Sequence, residues 1–310
     1  MNVYLSEYIA PSAKKRLEAC CTLVDNFDHP EELDGILVRR EEVTGEILRK
    51  AKKLRIVSMH SVGLDHIDVK TARELGIPVT NVPGMNAESV AELTVAMMMA
   101  LSRKLKYIDG CVEKGTLQSF GDSRTIGHEI YGKKVGLIGS GHIAQRVADV
   151  LEKAFHCRIY SFNGHETAAM LEQKGMIKVD SLKELFRTMD FISIHVPLTP
   201  ETQDMVDKNV LEGANRNLIL VNTARGGIVK EEDLYEALCK GSIAGAASDV
   251  FRQDIPDSHL PLLHLPNFIS TVHIGGSTQE ALERVSNQAV DNLLAGLAGK
   301  RVRCVWGRTA

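Results

Sequence analysis

The segment that most constrains this chain begins at residue 134, where an apolar run, Val135 to Ile138, passes through Gly139-Ser140-Gly141-His142-Ile143-Ala144 into a helical pattern over Gln145 to Lys153. A glycine-rich turn between strand and helix leaves little freedom. The first glycine permits the tight turn, the second lets backbone approach a pyrophosphate, and a small residue at the third position lets helix pack on strand. The phosphates then sit at a helix N-terminus, facing unpaired N–H groups. In this strand–turn–helix context, G-x-G-x-x-A points to dinucleotide binding within a parallel, doubly wound sheet.

The rest of the chain repeats the same βαβ rhythm twice. Strands are predicted at Val3 to Leu5, Ile36 to Arg39, Leu54 to Met59 and Val79 to Val82, with helices starting at Ser12, Thr44 and Asp68. From Ala87, 23 residues without Gly or Pro predict one long helix, in which Met97, Met98 and Met99 pack on two sides. The Gly- and Ser-bearing stretch from Gly115 to Gly132 reads as a crossing between domains. The second series places strands at Arg158 to Phe162, Phe191 to His195, Leu218 to Asn222, Gly245 to Asp249 and Phe268 to Thr271. A last helix runs from about Ser277 to Leu297. At 310 residues the chain has room for two domains. The expected architecture is α/β, with a dinucleotide-binding domain over 101–276 inserted between 1–100 and 277–310, and an interdomain cleft as the default site.

Charge and cysteine usage narrow the partners. Thirty-seven Lys and Arg against 40 Asp and Glu leave no basic excess for nucleic-acid backbones. The longest largely apolar run, Leu93 to Leu101, falls far short of the roughly 20 residues that cross a bilayer, and the N-terminus lacks a secretory pattern. Six scattered cysteines contain no C-x-x-C pair, which argues against a zinc site or a disulfide framework and for a reducing cytoplasm. All six are expected to be small buried hydrophobes. No metal-ligand spacing is present.

Four polar positions follow the turn. Arg225 comes directly after a strand, beside Gly226 and Gly227, where a guanidinium can hold a carboxylate bidentately. Asp249 closes a strand, with Asp254 in the following loop, and His273 precedes Gly275 and Gly276. At the end of the strand after the glycine turn, where a carboxylate normally binds the adenosine ribose, Asn163 stands instead. That substitution leaves NAD(H) and NADP(H) both open.

Five runs carry a further reading: HSVGLDHIDVKTARELGIPVTNVPGMNAESVAEL (60–93), GKKVGLIGSGHIAQRVA (132–148), FISIHVPLTPET (191–202), LVNTARGGIVKEEDLYEAL (220–238), and DVFRQDIP with HLPNFISTVHIGGST (249–278). In order and spacing they resemble the D-isomer-specific 2-hydroxyacid dehydrogenases. The resemblance implies a Rossmann domain inserted into a flavodoxin-like substrate domain, a small 2-oxo or D-2-hydroxy acid substrate, NAD(P)H, and a homodimer formed around the helix from Ala87. It implies that Arg225 binds the substrate carboxylate and carbonyl and that His273 is the acid–base group. The N–H groups around Ser61, Val62 and Gly63 would grip the carboxylate. Asp249 would hold the nicotinamide amide, and His142, Ile143, His195, Val196, Pro197, Thr202, Thr223, Ala224 and Gly275 would complete the cofactor site with Gly139, Gly141 and Asn163.

The pattern departs from the family at two places. The orienting carboxylate, a Glu before Pro in the family, aligns with Asp254, followed by Ile255; Asp is one methylene shorter, so its contact with His273 is expected to be long or water-bridged unless the loop moves inward. Val272 stands where Pro often precedes the histidine. His60 and SVGLDHID lean toward the glyoxylate and hydroxypyruvate reductases. The corepressors called C-terminal-binding proteins, which share the fold, imply the alternative of an NADH-sensing binding protein with little turnover. Formate dehydrogenases carry Gln at the position held here by Asp254, with Gln253 one residue away, and are disfavoured.

Overall fold

The computed structural model describes residues 1–6, 8–117 and 121–305. The chain divides into two compact units, Met1–Asn86 with Ser277–Ala310, and Ala87–Gly276. The first division thus falls at 86/87, ahead of the expected 100/101, because the helix from Ala87 packs with the second series of strands. Residues 118–120 of the expected crossing lie outside the described residues.

The first unit contains β1 (Asn2–Leu5), α1 (Pro11–Glu18), β2 (Thr22–Val24), β3 (Gly35–Val38), α2 (Gly45–Lys50), β4 (Ile56–Met59), α3 (Val69–Glu74) and β5 (Val79–Thr80). All pairings are parallel in the order β2-β1-β3-β4-β5, the flavodoxin-like order. The expected starts at Thr44 and Asp68 are the N-caps of α2 and α3, their side-chain oxygens accepting from the N–H groups of Ile47 and Thr71. β2 escaped sequence reading: it is three residues long and none of them is buried.

The second unit carries α4 (Ala87–Ser102), α5 (Leu105–Glu113), β6 (Lys134–Ile138), α6 (His142–Phe155), β7 (Arg158–Phe162), α7 (Ala168–Glu172), β8 (Ile177–Val179), α8 (Leu182–Thr188), β9 (Phe191–Ile194), α9 (Lys208–Leu211), β10 (Ile219–Asn222), α10 (Glu231–Lys240), β11 (Gly245–Ser248) and β12 (Phe268–Ser270). The return helix α11 (Gln279–Leu297) belongs to the first unit. The seven strands are parallel in the order β12-β11-β10-β9-β6-β7-β8. Alternate strand residues feed opposite faces: Val135, Leu137, Ile219 and Val221 join one apolar cluster, whereas Ile138, Ile192, Ile194, Leu218 and Leu220 join the other.

The expected single helix from Ala87 is broken between α4 and α5. Lys104 adopts a left-handed backbone, φ 53°. The cause lies outside the helix: the carbonyl of Ser102 accepts from His128 N at 2.8 Å instead of continuing the helical ladder, and the Ser102 hydroxyl donates back to Met98 O. Met97 and Met98 are buried, while Met99 is exposed. The cysteine expectation is corrected as well. Cys111, Cys157 and Cys304 are buried, but Cys20 and Cys239 are exposed and Cys21 is partly so. Among the described residues, no helix is long and apolar enough to cross a membrane.

Candidate active site

The parallel register of the second unit gathers most of the expected residues along one edge of its sheet. Gly139 follows β6, Asn163 follows β7, His195 follows β9, Thr223 to Arg225 follow β10, Asp249 follows β11 and His273 lies just beyond β12. All therefore stand at carboxyl ends of strands, on both sides of the β6–β9 neighbour pair where the strand order reverses. Ligands bind at such a switch point. At about 4.8 Å between strands, the five steps from β7 to β12 span roughly 24 Å, the reach of an extended dinucleotide.

The glycine turn suits a pyrophosphate. Gly139 has φ +99°, and a Cβ there would stand 2.7 Å from the carbonyl oxygen of His195 and 3.0 Å from Val196 Cγ1. Gly141 is the N-cap of α6 without a side-chain cap, and a Cβ on it would meet nothing within 4 Å. The first-turn amides of His142 and Ile143 have no acceptor within the helix, as at any helix N-terminus. After β9, the His195 Nε2 atom is buried with no hydrogen-bond partner among the described residues. Burial pushes its imidazole down to about 3, so it is neutral at ordinary pH. Thr202 Oγ1 braces the loop after β9 by donating to Pro197 O at 2.7 Å and accepting from Thr199 N.

Asn163 does not stand alone at the adenosine end. Its Nδ2 donates to Ser140 Oγ at 2.7 Å, and the Ser140 hydroxyl donates to Glu166 Oε2 at 2.7 Å. Glu166 pairs with Lys174 at 2.5 Å, and Lys174 also reaches Ser140 O at 3.2 Å. The Lys174 hydrogen bond, then that from Ser140, holds the Glu166 carboxyl below the usual range. Sequence reading found no carboxylate at the end of β7, because Glu166 lies three residues past Asn163 and only the fold brings it to Ser140.

Beyond β10, Asn222 shapes the substrate-side loop. Its Oδ1 accepts from Ala224 N at 3.1 Å and its Nδ2 donates to Arg225 O at 2.9 Å. Thr223 Oγ1 lies 3.0 Å from Thr94 Oγ1 on α4. Gly226 is pressed on the chain leaving β11, where a Cβ would come within 1.8 Å of Phe251 O, and Gly227 has φ +80°. Arg225 is half-buried, with Nη1 donating to Ala224 O at 2.7 Å. Asn222 was not singled out from sequence, though its place between an apolar strand and the glycine pair is a readable signal.

Asp249 is 1% exposed and accepts hydrogen bonds from the turn after β12. Its Oδ1 accepts from Thr271 Oγ1 at 2.5 Å and Ile274 N at 2.8 Å, its Oδ2 from Gly275 N at 2.8 Å, and its carbonyl from His273 N at 2.6 Å. His273 is half-buried with φ +56°, a left-handed backbone uncommon outside glycine. Asp254 is not brought to it. It is exposed in the loop after β11, and no hydrogen bond or ion pair ties it to His273 among the described residues.

In the first unit, the loop after β4 spends its carbonyls and leaves its amides open. Ser61 O accepts from Val82 N, Val62 O from Asn81 Nδ2 at 2.7 Å, and Gly63 O from the Ser61 hydroxyl at 2.9 Å. The N–H groups of Ser61, Val62 and Gly63 donate to no described group. His60, just before them, is 3% exposed, with Nε2 2.7 Å from Ser286 Oγ on α11; burial first, then the Arg39 charge, lower its pKa to about 4.

A family model for the NAD binding domain of D-isomer specific 2-hydroxyacid dehydrogenases matches residues 95–275. The chain belongs to the D-isomer specific 2-hydroxyacid dehydrogenase family. Among relatives of this family, it is 38% identical over 271 residues to a D-3-phosphoglycerate dehydrogenase of Methanocaldococcus jannaschii, a match covering 87% of this chain and 51% of that protein. It is 35% identical over 296 residues to a glyoxylate reductase of Korarchaeum cryptofilum, covering 94% of this chain and 85% of the relative. The chain spans about half the length of the phosphoglycerate dehydrogenases it matches. A crystal structure of a family dehydrogenase, D-lactate dehydrogenase from Aquifex aeolicus complexed with NAD and lactic acid, superposes with a TM-score of 0.83 at 28% identity, covering 96% of each chain.

Proposed function

We propose that this member of the 2-hydroxyacid dehydrogenase family interconverts a small 2-oxo acid and its D-2-hydroxy acid, using a nicotinamide dinucleotide. The observation that carries the reading is the row of Gly139, His195, Arg225, Asp249 and His273 along the carboxyl edge of one parallel sheet. Gly139, His195 and Asp249 would hold a nicotinamide dinucleotide, which when reduced would supply the hydride for the carbonyl carbon. His273 gives its proton to the carbonyl oxygen, so the product is a neutral alcohol, and in the reverse direction it takes that proton back. Arg225 stabilises the negative charge that builds on the oxygen and grips the neighbouring carboxylate. The open amides of Ser61, Val62 and Gly63 are the donors assigned to the carboxylate in the first unit. The neutral His195, with Val196, Pro197, Thr202, Thr223, Ala224 and Gly275, lines the cofactor, and His142 and Ile143 present amides to its phosphates. Arg225 and His273 together meet the charge and the proton of the reaction without a metal ion.

Preference for NADH or NADPH rests on the adenosine end. Asn163 offers no charge against a 2′-phosphate, while the Glu166–Lys174 pair sets a carboxylate and a cation beside Ser140. His60 and the SVGLDHID run favour glyoxylate or hydroxypyruvate as the oxo acid. A cytoplasmic homodimer belongs to the same reading, supported by Leu105, Val112, Ile126 and Tyr131, large apolar side chains exposed on the second unit; sedimentation as a stable monomer at micromolar concentration refutes the dimer. The decisive assay is turnover of glyoxylate, hydroxypyruvate, pyruvate and longer 2-oxo acids with each reduced cofactor. Tight NADH binding with no turnover of any of them would overturn the enzyme reading in favour of a sensor.

A further inference from the structure

We propose that Asp249 and Thr271 are positioning residues that hold His273 in its working backbone conformation. This rests on the reading of His273 as the proton donor. A histidine at φ +56° is locally strained by a penalty of order 1 kcal/mol or more, and such a residue persists only where its surroundings over-determine it. Here a buried aspartate supplies bonds on both sides of it.

Every residue from 271 to 275 except Val272 is bonded to Asp249. The Thr271 hydroxyl and the Ile274 amide share Oδ1, the Gly275 amide takes Oδ2, and the His273 amide takes the main-chain carbonyl. Bonds on both sides of His273 fix the direction in which its side chain leaves the backbone. Gly275 keeps its amide close because it has no side chain; a Cβ there would lie 3.1 Å from Asp249 Oδ2 and 3.4 Å from Val90 Cγ2. Val272 is 52% exposed and bonded to nothing in the cluster. A proline at that position would restrain the loop by locking its own φ. With valine in place, the Thr271 and Asp249 side chains carry the restraint. A carboxylate has about four acceptor sites, and three are taken, so one on Oδ2 remains for the nicotinamide amide.

The experiment combines amide hydrogen exchange on the ligand-free protein with steady-state kinetics. In the wild type, the Ile274 amide should be protected although its side chain is exposed, while the Val272 amide should exchange freely. Thr271→Val, which removes the hydroxyl at nearly constant volume, should speed Ile274 exchange at least tenfold. It should lower kcat at least tenfold with NADH affinity, read by nicotinamide fluorescence, changed less than twofold. Thr271→Ser should restore both. An unprotected Ile274 amide in the wild type overturns the proposal even if the valine variant does not fold. So does unaltered exchange or unaltered kcat in Thr271→Val. If the wild type turns over no 2-oxo acid, the proton-donor reading fails, while the exchange data still decide whether the clamp exists.

Discussion

Replacing Gly226 by alanine tests whether the Arg225 loop is held by backbone contact. The new Cβ would stand 1.8 Å from Phe251 O and 2.1 Å from Phe251 C, where real Cβ contacts essentially never fall under 3.0 Å, so the two backbones must part by about 1.2 Å. The chain after β11 is poorly placed to yield. Phe251 is buried and packs edge-on against Phe268 at 6.3 Å, and the Arg252 guanidinium is paired with Asp204. The Arg225 loop is therefore the part that shifts, at the expense of the bond from Asn222 Nδ2 to Arg225 O. Overpacking of this kind costs about 1–3 kcal/mol, and each kcal/mol lowers Tm by roughly 2–4 °C in a domain of this size. Displacing a substrate-binding group by about 1 Å costs on the order of a hundredfold in rate. Gly226→Ala should therefore lose about a hundredfold in kcat/KM, alongside a modest fall in Tm measured by circular dichroism. A variant within about threefold of wild type, with Tm unchanged, would refute the reasoning.

Three further outcomes are expected. Because Asp254 is exposed and untied to His273, Asp254→Asn should keep the pH at which kcat/KM falls on the alkaline side; a downward move of that limb would restore Asp254 as the charge that favours the imidazolium. Glu166→Gln removes a carboxylate beside Ser140 and should shift the kcat/KM ratio toward NADPH by at least about threefold, roughly 0.6 kcal/mol; a ratio that stays put would place the 2′-position elsewhere. His60 is held neutral at a pKa of about 4 against an ordinary 6.5. The unfolded chain therefore binds the extra proton first, and stability should fall as pH drops from about 6.5 toward 4, by on the order of 3 kcal/mol for this one group. Urea midpoints across that window should lose this slope in His60→Asn, and an identical slope in the variant would count against the assignment.

Much of the fold was legible because its signals are local. The strand–glycine–helix turn at 135–153, the caps at Thr44 and Asp68, and apolar runs that become the central strands all act over a few residues, where backbone sterics and periodicity decide. β2 and β8 went unread because short strands at or near a sheet edge carry little apolar pattern: Thr22 is exposed, and Ile177 is 53% exposed. The candidate site was legible by type, since glycines and an arginine or histidine just past a strand can be recognised without coordinates.

Tertiary structure decided whatever depends on partners far along the chain. No residue between Ala87 and Asp109 announces the helix break; it follows from the Ser102 carbonyl meeting His128. Asn163 reads as a neutral end to β7 until Ser140, Glu166 and Lys174 are joined to it. Family resemblance pairs the His273 side chain with Asp254, yet in the fold the His273 amide and those of the next two residues all donate to Asp249. The amino-acid sequence by itself determined the two parallel sheets, the dinucleotide turn and the chemical types at the candidate site. Which carboxylate holds which loop was left to the packing, because hydrogen bonds between distant residues depend on distance and angle that no local pattern encodes.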